Sequence, residues 1–211
     1  MQAAPAGAAG AFGERLSLAE RYVSLLAGSG TERGLIGPRE GDRLWQRHLL
    51  NSAAVAELVP EGASLIDVGS GAGLPGIPIA LVRPDVQVEL VEPLLRRTTW
   101  LEEVVTELGL APQVRVTRGK VAVIGARAAD VVTARAVAPL ERLLPMCVPL
   151  LAPGGVVLAL KGEQAQSEVD AIHSQISRWR LTSLDVARCG SGFCAEETTV
   201  VVARRVGGRS S

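Results

Sequence analysis

From residue 64 onward, short apolar runs alternate with longer segments of helical periodicity, which is typical of β-α-β units and a parallel sheet. The predicted strands cover residues 65–68, 86–91, 114–117, 131–134 and 156–160, with helices between them at residues 74–82, 94–108, 140–150 and 164–179. Residues 181–187 and 198–204 flank a glycine turn and predict a closing antiparallel pair. The pattern therefore predicts an α/β fold with a mostly parallel seven-stranded sheet and a C-terminal antiparallel hairpin.

The first 60 residues follow a different pattern. Residues 1–13 are rich in Ala and Gly, whereas residues 14–27 and 40–58 both have the apolar spacing of a helix. The predicted organisation is a disordered tail at residues 1–13, an N-terminal helical extension at 14–60, one domain at 61–205 and a flexible tail at 206–211.

Composition narrows the class of protein only slightly. The 211 residues are 47% hydrophobic, which is ample for a core, and Lys+Arg and Asp+Glu both number 22, so no bulk basicity indicates a nucleic-acid partner. The three cysteines match no zinc spacing, so we expect no metal and a reduced environment. Because neither a leader nor a membrane-spanning run is visible, we expect a cytoplasmic protein without a membrane partner.

A glycine-rich loop directly follows the first predicted strand. In the string D-V-G-S-G-A-G, which begins at Asp67, alternate glycines leave the main chain open to a ligand, and a helix follows at once. Residues 71–76 also fit the G-x-G-x-x-G pattern of dinucleotide-binding loops, and Glu92 lies where such enzymes keep a ribose-binding carboxylate. Asp67, two residues before Gly69, instead favours S-adenosylmethionine, which has no pyrophosphate to be held.

The wider sequence around this loop is more distinctive. L-I-D-V-G-S-G-A-G-L-P-G-I-P-I-A resembles motif I of the bacterial 16S ribosomal RNA guanine-N7 methyltransferases, the glucose-inhibited division protein B family. R-H-L-L-N-S upstream, and T-A-R-A-V-A-P-L and L-A-L-K-G-E downstream, resemble further motifs of that family, so the resemblance covers about residues 35–165.

The resemblance implies a Rossmann-like class I methyltransferase fold with S-adenosyl-L-methionine as its cofactor. It also implies methylation of guanine N7 in 16S ribosomal RNA, at guanine 527 of the 530 loop in the usual rRNA numbering. The substrate partner would be the RNA itself, a 30S particle or an assembly intermediate, and we expect the enzyme to be a monomer.

The resemblance further implies roles for single residues. Gly69 and Leu74 would line the cofactor, with Asp67 and Gly71 in the same loop, and Glu92 would hold the ribose hydroxyls.

Two further positions complete the implied cofactor site. The segment on the adenine side falls on Val121 and Ala122, where Ala122 replaces the family's usual acidic residue, so contact there would be through the backbone. Arg135, in T-A-R-A, matches an arginine at the end of the fourth strand. We expect its side chain to face the cleft and to hold the cofactor carboxylate or one guanine oxygen.

Guanine N7 already has a lone pair, so its methylation needs alignment and no general base. The catalytic residue is therefore unknown, and His48 is interpreted as a helix-packing residue. Substrate RNA is expected to contact Arg39, Arg43, Arg47 and Lys161. Further arginines assigned to the same contact are Arg96, Arg97, Arg204, Arg205 and Arg209.

Two alternatives remain at this point. A methyltransferase for a small molecule or a protein would share the glycine loop but would not explain the motifs upstream and downstream of it. A nicotinamide-dependent oxidoreductase would also fit the glycines and Glu92, but it would need a substrate domain that 211 residues can hardly contain.

Overall fold

The computed structural model describes residues 3–37, 40–125 and 127–208. Its strands are β1 (Ser64–Val68), β2 (Gln87–Glu92), β3 (Val114–Arg118), β4 (Ala129–Arg135), β5 (Leu151–Lys161), β6 (Leu181–Cys189) and β7 (Thr198–Arg205). All seven belong to one sheet in the order β3-β2-β1-β4-β5-β7-β6. Strands β1 to β5 pair in parallel, and β7 pairs antiparallel with both β5 and β6. This topology confirms the predicted fold class.

The α-helices are α1 (Ala6–Phe12), α2 (Leu16–Leu25), α3 (Asn51–Ala54), α4 (Gly76–Val82), α5 (Leu95–Glu107), α6 (Leu140–Cys147) and α7 (Ala165–Ile172). Tighter 3-10 turns are found at Gly13–Arg15, Gly41–Arg43, Val55–Leu58, Val148–Leu150 and His173–Trp179, and wider π turns at Leu26–Gly30 and Leu44–Leu50. The predicted second helix is thus a continuous helical path whose hydrogen-bond pattern changes along its length.

Alternate residues of each strand enter two different cores. Leu65 of β1 packs with α4, α5 and the N-terminal helices, whereas Ile66 packs with α6 and α7 on the other face. The sheet is therefore the middle of three layers. Strands β2 and β3 lie on one side of β1 and β4 lies on the other, so the strand order reverses between β1 and β4. The crevice at the carboxyl ends of these two strands is where open α/β sheets bind ligands.

Within the described part of the predicted disordered tail at residues 1–13, the structure has a helix. Residues from Ala6 onward form α1, in which Ala8 is 0% and Phe12 is 4% exposed. The ring of Phe12 makes an edge contact with Trp45 at a centroid distance of 6.4 Å. A Cβ on Gly7 would lie 2.1 Å from the carbonyl oxygen of Phe193, so this glycine allows the helix to approach that chain closely. Composition alone misled the prediction because these contacts are long-range.

The N-terminal extension is built into the same core as the sheet. The guanidinium of Arg15 donates to the carbonyl of Ala80 at 3.1 Å, and the indole N–H of Trp100 donates to Ser29 at 3.0 Å. At the other end of the chain, the amide of Val206 donates to the carbonyl of Arg180 at 2.9 Å, so ordered pairing continues past β7. Of the helices described, none is both long enough and apolar enough to cross a membrane.

Candidate functional site

The glycine loop connects β1 to α4, and three of its glycines have a left-handed backbone conformation. Gly69, Gly71 and Gly73 have φ angles of 68°, 57° and 85°, which side chains disfavour. A Cβ on Gly73 would lie 2.4 Å from Ile77 Cδ1, so this position also lacks space. The amide of Gly69 donates to the carbonyl of Val91 at 2.8 Å, which ties the loop to the end of β2. The glycines are therefore required by the path of the chain itself.

Asp67 lies beneath this loop, away from solvent. Its Oδ2 accepts a hydrogen bond from the amide of Gly76 at 3.1 Å, at the start of α4, and the residue is 0% exposed. Burial raises the pKa of Asp67 from 3.8 to about 7, although the Gly76 amide opposes this shift. Asp67 thus holds the loop and the following helix together, and its assignment to direct cofactor contact stays a prediction.

Glu92, at the end of β2, is positioned by two backbone amides. Its Oε2 accepts from the amide of Gly71 and its Oε1 from the amide of Leu94, both at 3.0 Å. The residue is 2% exposed. A carboxylate has about four lone-pair positions, so two hydrogen bonds leave capacity for further donors such as two vicinal hydroxyls.

Two cavities meet at Gly69, where the loop has no side chain. One is apolar, with a volume of about 620 Å³, and the other is more polar, with a volume of about 600 Å³. The apolar cavity is lined by residues that include Val68, Val91, Pro93, Val121, Ala122 and Leu150. The polar cavity is lined by residues that include Ile36, His48, Gly71, Leu74, Glu92 and Arg135. Gly69, Pro93 and Val137 line both.

Arg135 lines the polar cavity, but its guanidinium points into the N-terminal extension. It donates to the carbonyl of Arg47 at 3.1 Å, to Ser52 Oγ at 3.0 Å and to the Nδ1 atom of His48 at 2.8 Å. Because a guanidinium can only donate, Nδ1 of His48 must be the acceptor, and its Nε2–H donates to Glu40 at 2.9 Å. Burial, followed by the charge of Arg135, lowers the pKa of His48. His48 is therefore held neutral.

Arg97, near the start of α5, is the other arginine of the polar cavity. Its Nη1 lies 3.6 Å from Glu92 Oε2, too far for a hydrogen bond. Among the residues that the structure describes, its buried Nε atom has no hydrogen-bond partner. The side chain is 33% exposed. This guanidinium therefore has donors available to an anion in the cavity.

Comparison with known proteins places this arrangement in a family. Residues 15–197 match the family model described as rRNA small subunit methyltransferase G. The chain belongs to this family. A ribosomal RNA small subunit methyltransferase G from Frankia alni is 52% identical over 96% of the chain and 79% of its own length. One from Thermobifida fusca is 54% identical over 90% of the chain and 80% of its own length.

Membership of the rRNA small subunit methyltransferase G family confirms that the protein is a methyltransferase. The chain is a class I methyltransferase with S-adenosylmethionine as its methyl donor. A solved S-adenosylmethionine-dependent O-methyltransferase from Thermotoga maritima matches with a TM-score of 0.56 and 18% identity, over 90% of this chain and 73% of that one, which shows the shared fold. The donor set fits this cofactor, because an apolar cavity suits a purine and the Glu92 carboxylate suits ribose hydroxyls.

The residues predicted to bind RNA differ in how exposed they are and in whether they already have partners within the protein. Arg43 is exposed, and the 58% exposed side chain of Arg47 lies 3.4 Å from Glu40. Lys161 is only 13% exposed and points towards its own chain. Arg39 and Arg209 lie outside the described residues. The exposed arginines remain predicted RNA contacts, whereas the ammonium of Lys161 is bound by Ala138 and Glu168.

Sequence reasoning missed several residues that shape the site. Val137 stands between the cavities, and a Cβ on Gly69 would lie 2.9 Å from its Cγ2. Its position just beyond the carboxyl end of β4, two residues after Arg135, was a usable signal, because that edge of the sheet carries the crevice. The loop residues Leu35 and Ile36 also line the polar cavity. They carried no local signal, because their place depends on how the extension folds over the sheet.

Proposed function

We propose that this protein transfers the methyl group of S-adenosylmethionine to N7 of a guanine in 16S ribosomal RNA. The observation that carries this proposal is the state of the ionisable groups around the polar cavity. His48 has both ring nitrogens engaged, and Glu92 accepts two backbone amides and is assigned its remaining capacity for the ribose hydroxyls. Arg97 and Arg135 are cations and cannot take up a proton. The described lining therefore offers no free general base.

Guanine N7 is the acceptor that this lining suits. An exocyclic amine or a hydroxyl must lose a proton during methylation, whereas N7 attacks with a lone pair that it already has. The protein then needs only to align the base with the methyl group and to exclude water, and alignment alone can supply about 7–11 kcal/mol of such a barrier. The names of the relatives, which specify ribosomal RNA of the small subunit, support the substrate class.

The cofactor roles follow from the two cavities. When bound, S-adenosylmethionine supplies an electrophilic methyl group on a sulfonium. We assign adenine contact to Val121 and Ala122 in the apolar cavity and ribose contact to Glu92. Gly69, Gly71 and Leu74 would contact the remaining part of the molecule from the glycine loop. Arg135 would act by holding the N-terminal extension over this cavity, with any direct contact to cofactor or guanine as an additional role.

Arg97 is our candidate for a contact with an RNA phosphate. Its guanidinium has unpaired donors at the edge of the polar cavity, and Arg96 beside it is exposed. Together with Arg43 and Arg47 it would bind the RNA backbone near the target nucleotide, which predicts a steep loss of affinity with added salt. An enzyme that acts on ribosomal RNA or on a 30S particle would work in the cytoplasm, and we propose that it acts as a monomer.

A 7-deazaguanosine substitution tests the position of methylation. Replacing N7 of the target guanine by C–H removes the acceptor atom but leaves the Watson–Crick edge unchanged. We expect methyl transfer to a 16S RNA fragment to be lost, while binding of the fragment is retained. The matched control places 7-deazaguanosine at a neighbouring guanine, where transfer should continue. Transfer to the substituted target, detected as a tritiated methyl group, would contradict the N7 assignment.

A further inference from the structure

The segment of residues 136–139, here called the β4–α6 loop, passes between the two cavities. Val137, in this loop, lines both cavities and rests against Gly69. Ala136 has a φ angle of 54°, a left-handed conformation that costs energy in any residue with a Cβ. A loop in such a conformation keeps its shape only if the surrounding structure holds it.

On the β4 side, the loop is fixed by the hydrogen bonds of Arg135. Arg135, the residue directly before Ala136, is fixed by its hydrogen bonds to Arg47, His48 and Ser52. These contacts attach the end of β4 to the N-terminal extension.

On the α6 side, the loop is fixed by hydrogen bonds between the backbone and the ion pair of Lys161 and Glu168. The ammonium of Lys161 donates to the carbonyl of Ala138 at 2.9 Å and to Glu168 Oε2 at 2.8 Å. The same Oε2 atom accepts the amide of Leu140, the first residue of α6, at 2.8 Å. One charged pair therefore binds both the carbonyl and the amide that border Pro139.

The negative charge of Glu168 is stabilised in the fold. Burial alone would raise the pKa of Glu168, but the hydrogen bonds from Lys161 and from the Leu140 amide hold that pKa below its usual value. Lys161 has three donors, and two of them are used inside the protein. To reach an RNA phosphate, the ammonium would have to leave both partners and expose Glu168 to the RNA.

We propose that Lys161 and Glu168 are positioning residues that hold the β4–α6 loop, and with it Val137, between the cofactor cavity and the substrate cavity. This inference rests on the proposed function of that site. Lys161 then affects methyl transfer without touching RNA. Because a misplacement of about 1 Å at the reacting centre can lower a rate on the order of 100-fold, release of this loop should affect catalysis more than binding.

The test compares Lys161→Met, Glu168→Ala and the double variant. We expect each to lower kcat on the order of tenfold, with the KM for RNA and its salt dependence unchanged. The double variant should be no slower than the worse single variant, because both changes release the same loop. A direct phosphate contact would behave differently. Lys161→Met would then raise the KM and reduce the salt dependence, while Glu168→Ala would leave kcat unchanged or tighten RNA binding, and the proposal would be overturned.

Asp170→Ala is the matched control. Asp170 is exposed on the same helix, two residues from Glu168, and accepts a hydrogen bond from Gln166. Its loss changes the net charge as Glu168→Ala does but leaves the β4–α6 loop bound, so we expect wild-type kcat. Any change in RNA affinity common to both variants is then an effect of charge alone.

Hydrogen exchange separates this inference from the proposed function. We expect the peptide that contains the Leu140 amide to exchange faster in Lys161→Met and Glu168→Ala than in the wild type, whatever substrate the enzyme uses. Unchanged exchange in both variants would overturn the inference even if methylation of guanine N7 were established. If exchange were faster but the protein did not methylate 16S RNA, the positioning role of Lys161 and Glu168 would be supported and the proposed function would be rejected.

Discussion

Arg97 and Arg135 both line the polar cavity, but Arg135 is held by hydrogen bonds, whereas Arg97 makes only a long ion pair with Glu92 among the described residues. Arg135 donates to two backbone carbonyls, a hydroxyl and a ring nitrogen of the N-terminal extension. Arg97 approaches Glu92 at 3.6 Å, and its buried Nε has no partner among the described residues. Two similar cations at one cavity therefore have different uses, one in holding the extension and the other in meeting an anion.

This difference shows why a positive residue beside a cleft cannot be assigned to a ligand from its position alone. What decides its availability is how many of its donors are already used. Lys161 follows the same rule as Arg135, because its ammonium is held by Ala138 and Glu168.

Removal of Arg135 should give the largest effect. Arg135→Met keeps much of the side-chain volume but leaves Ser52 and His48 without their donor. We expect the free energy of unfolding to fall by about 3 kcal/mol, because hydrogen bonds to charged groups contribute about 1.5–3 kcal/mol each and are only partly replaced by water. Methyl transfer should fall as well. Denaturant unfolding measures the first effect, and Arg97→Met, with a change below about 0.5 kcal/mol, is its control. Equal losses for both variants would remove the distinction.

Asp67→Asn tests the protonation of the buried carboxyl beneath the glycine loop. Through its charge, Arg135 is one of the groups that lower the pKa of this carboxyl. The folded-state pKa of about 7 lies above the unfolded value of about 3.9, so the folded protein binds the proton more tightly. This contribution to stability is complete below about pH 4 and is lost as pH rises towards 7, at up to about 1.4 kcal/mol per unit. We expect the difference in unfolding free energy between wild type and variant to decline over that range. Parallel pH curves would contradict a raised pKa.

Arg97→Met should act on RNA and leave the fold intact. If Arg97 contacts one phosphate, its loss should weaken RNA binding about tenfold and reduce the salt slope by about one. Affinity for S-adenosylhomocysteine, measured by calorimetry, should not change. Arg178→Met is the matched control, since Arg178 is an exposed arginine in the turn before β6. Weaker binding of S-adenosylhomocysteine by Arg97→Met would instead assign Arg97 to the cofactor site, directly or through Glu92.

The parts of the fold that the sequence predicts well are those set by local pattern. Strands β1 to β7 follow apolar runs, and the turn after β1 needs residues that tolerate positive φ, so glycines reveal it. Residues 6–12 were misjudged, because α1 is held by Phe12 against Trp45 and by a close approach to Phe193. Such contacts join distant parts of the chain and leave no periodic signal.

The candidate site shows the same limit. The position of Glu92 at the end of β2 could be predicted, because parallel strands bring their carboxyl ends to one edge. The partners of Arg135 could not, since His48 and Ser52 are more than 80 residues earlier in the chain. Whether a side chain is free or bound depends on which loop or helix covers it, and that follows from packing of the whole molecule.

His48→Gln should have the smallest effect on the free energy of unfolding, but it gives the sharpest test of the difference between Arg97 and Arg135. Burial lowers the pKa of His48, so the unfolded chain binds its proton more readily, and this contribution to stability is present above about pH 6.5 and is lost as pH falls. Its sign is therefore opposite to that of Asp67. Relative to His48→Gln, we expect wild-type unfolding free energy to decline below that pH. The same decline should persist in an Arg97→Met background and shrink in an Arg135→Met background, because of these two arginines it is Arg135 that donates to the His48 ring. If removal of Arg97 reduced the decline as much as removal of Arg135, the two arginines would not have the separate roles assigned to them.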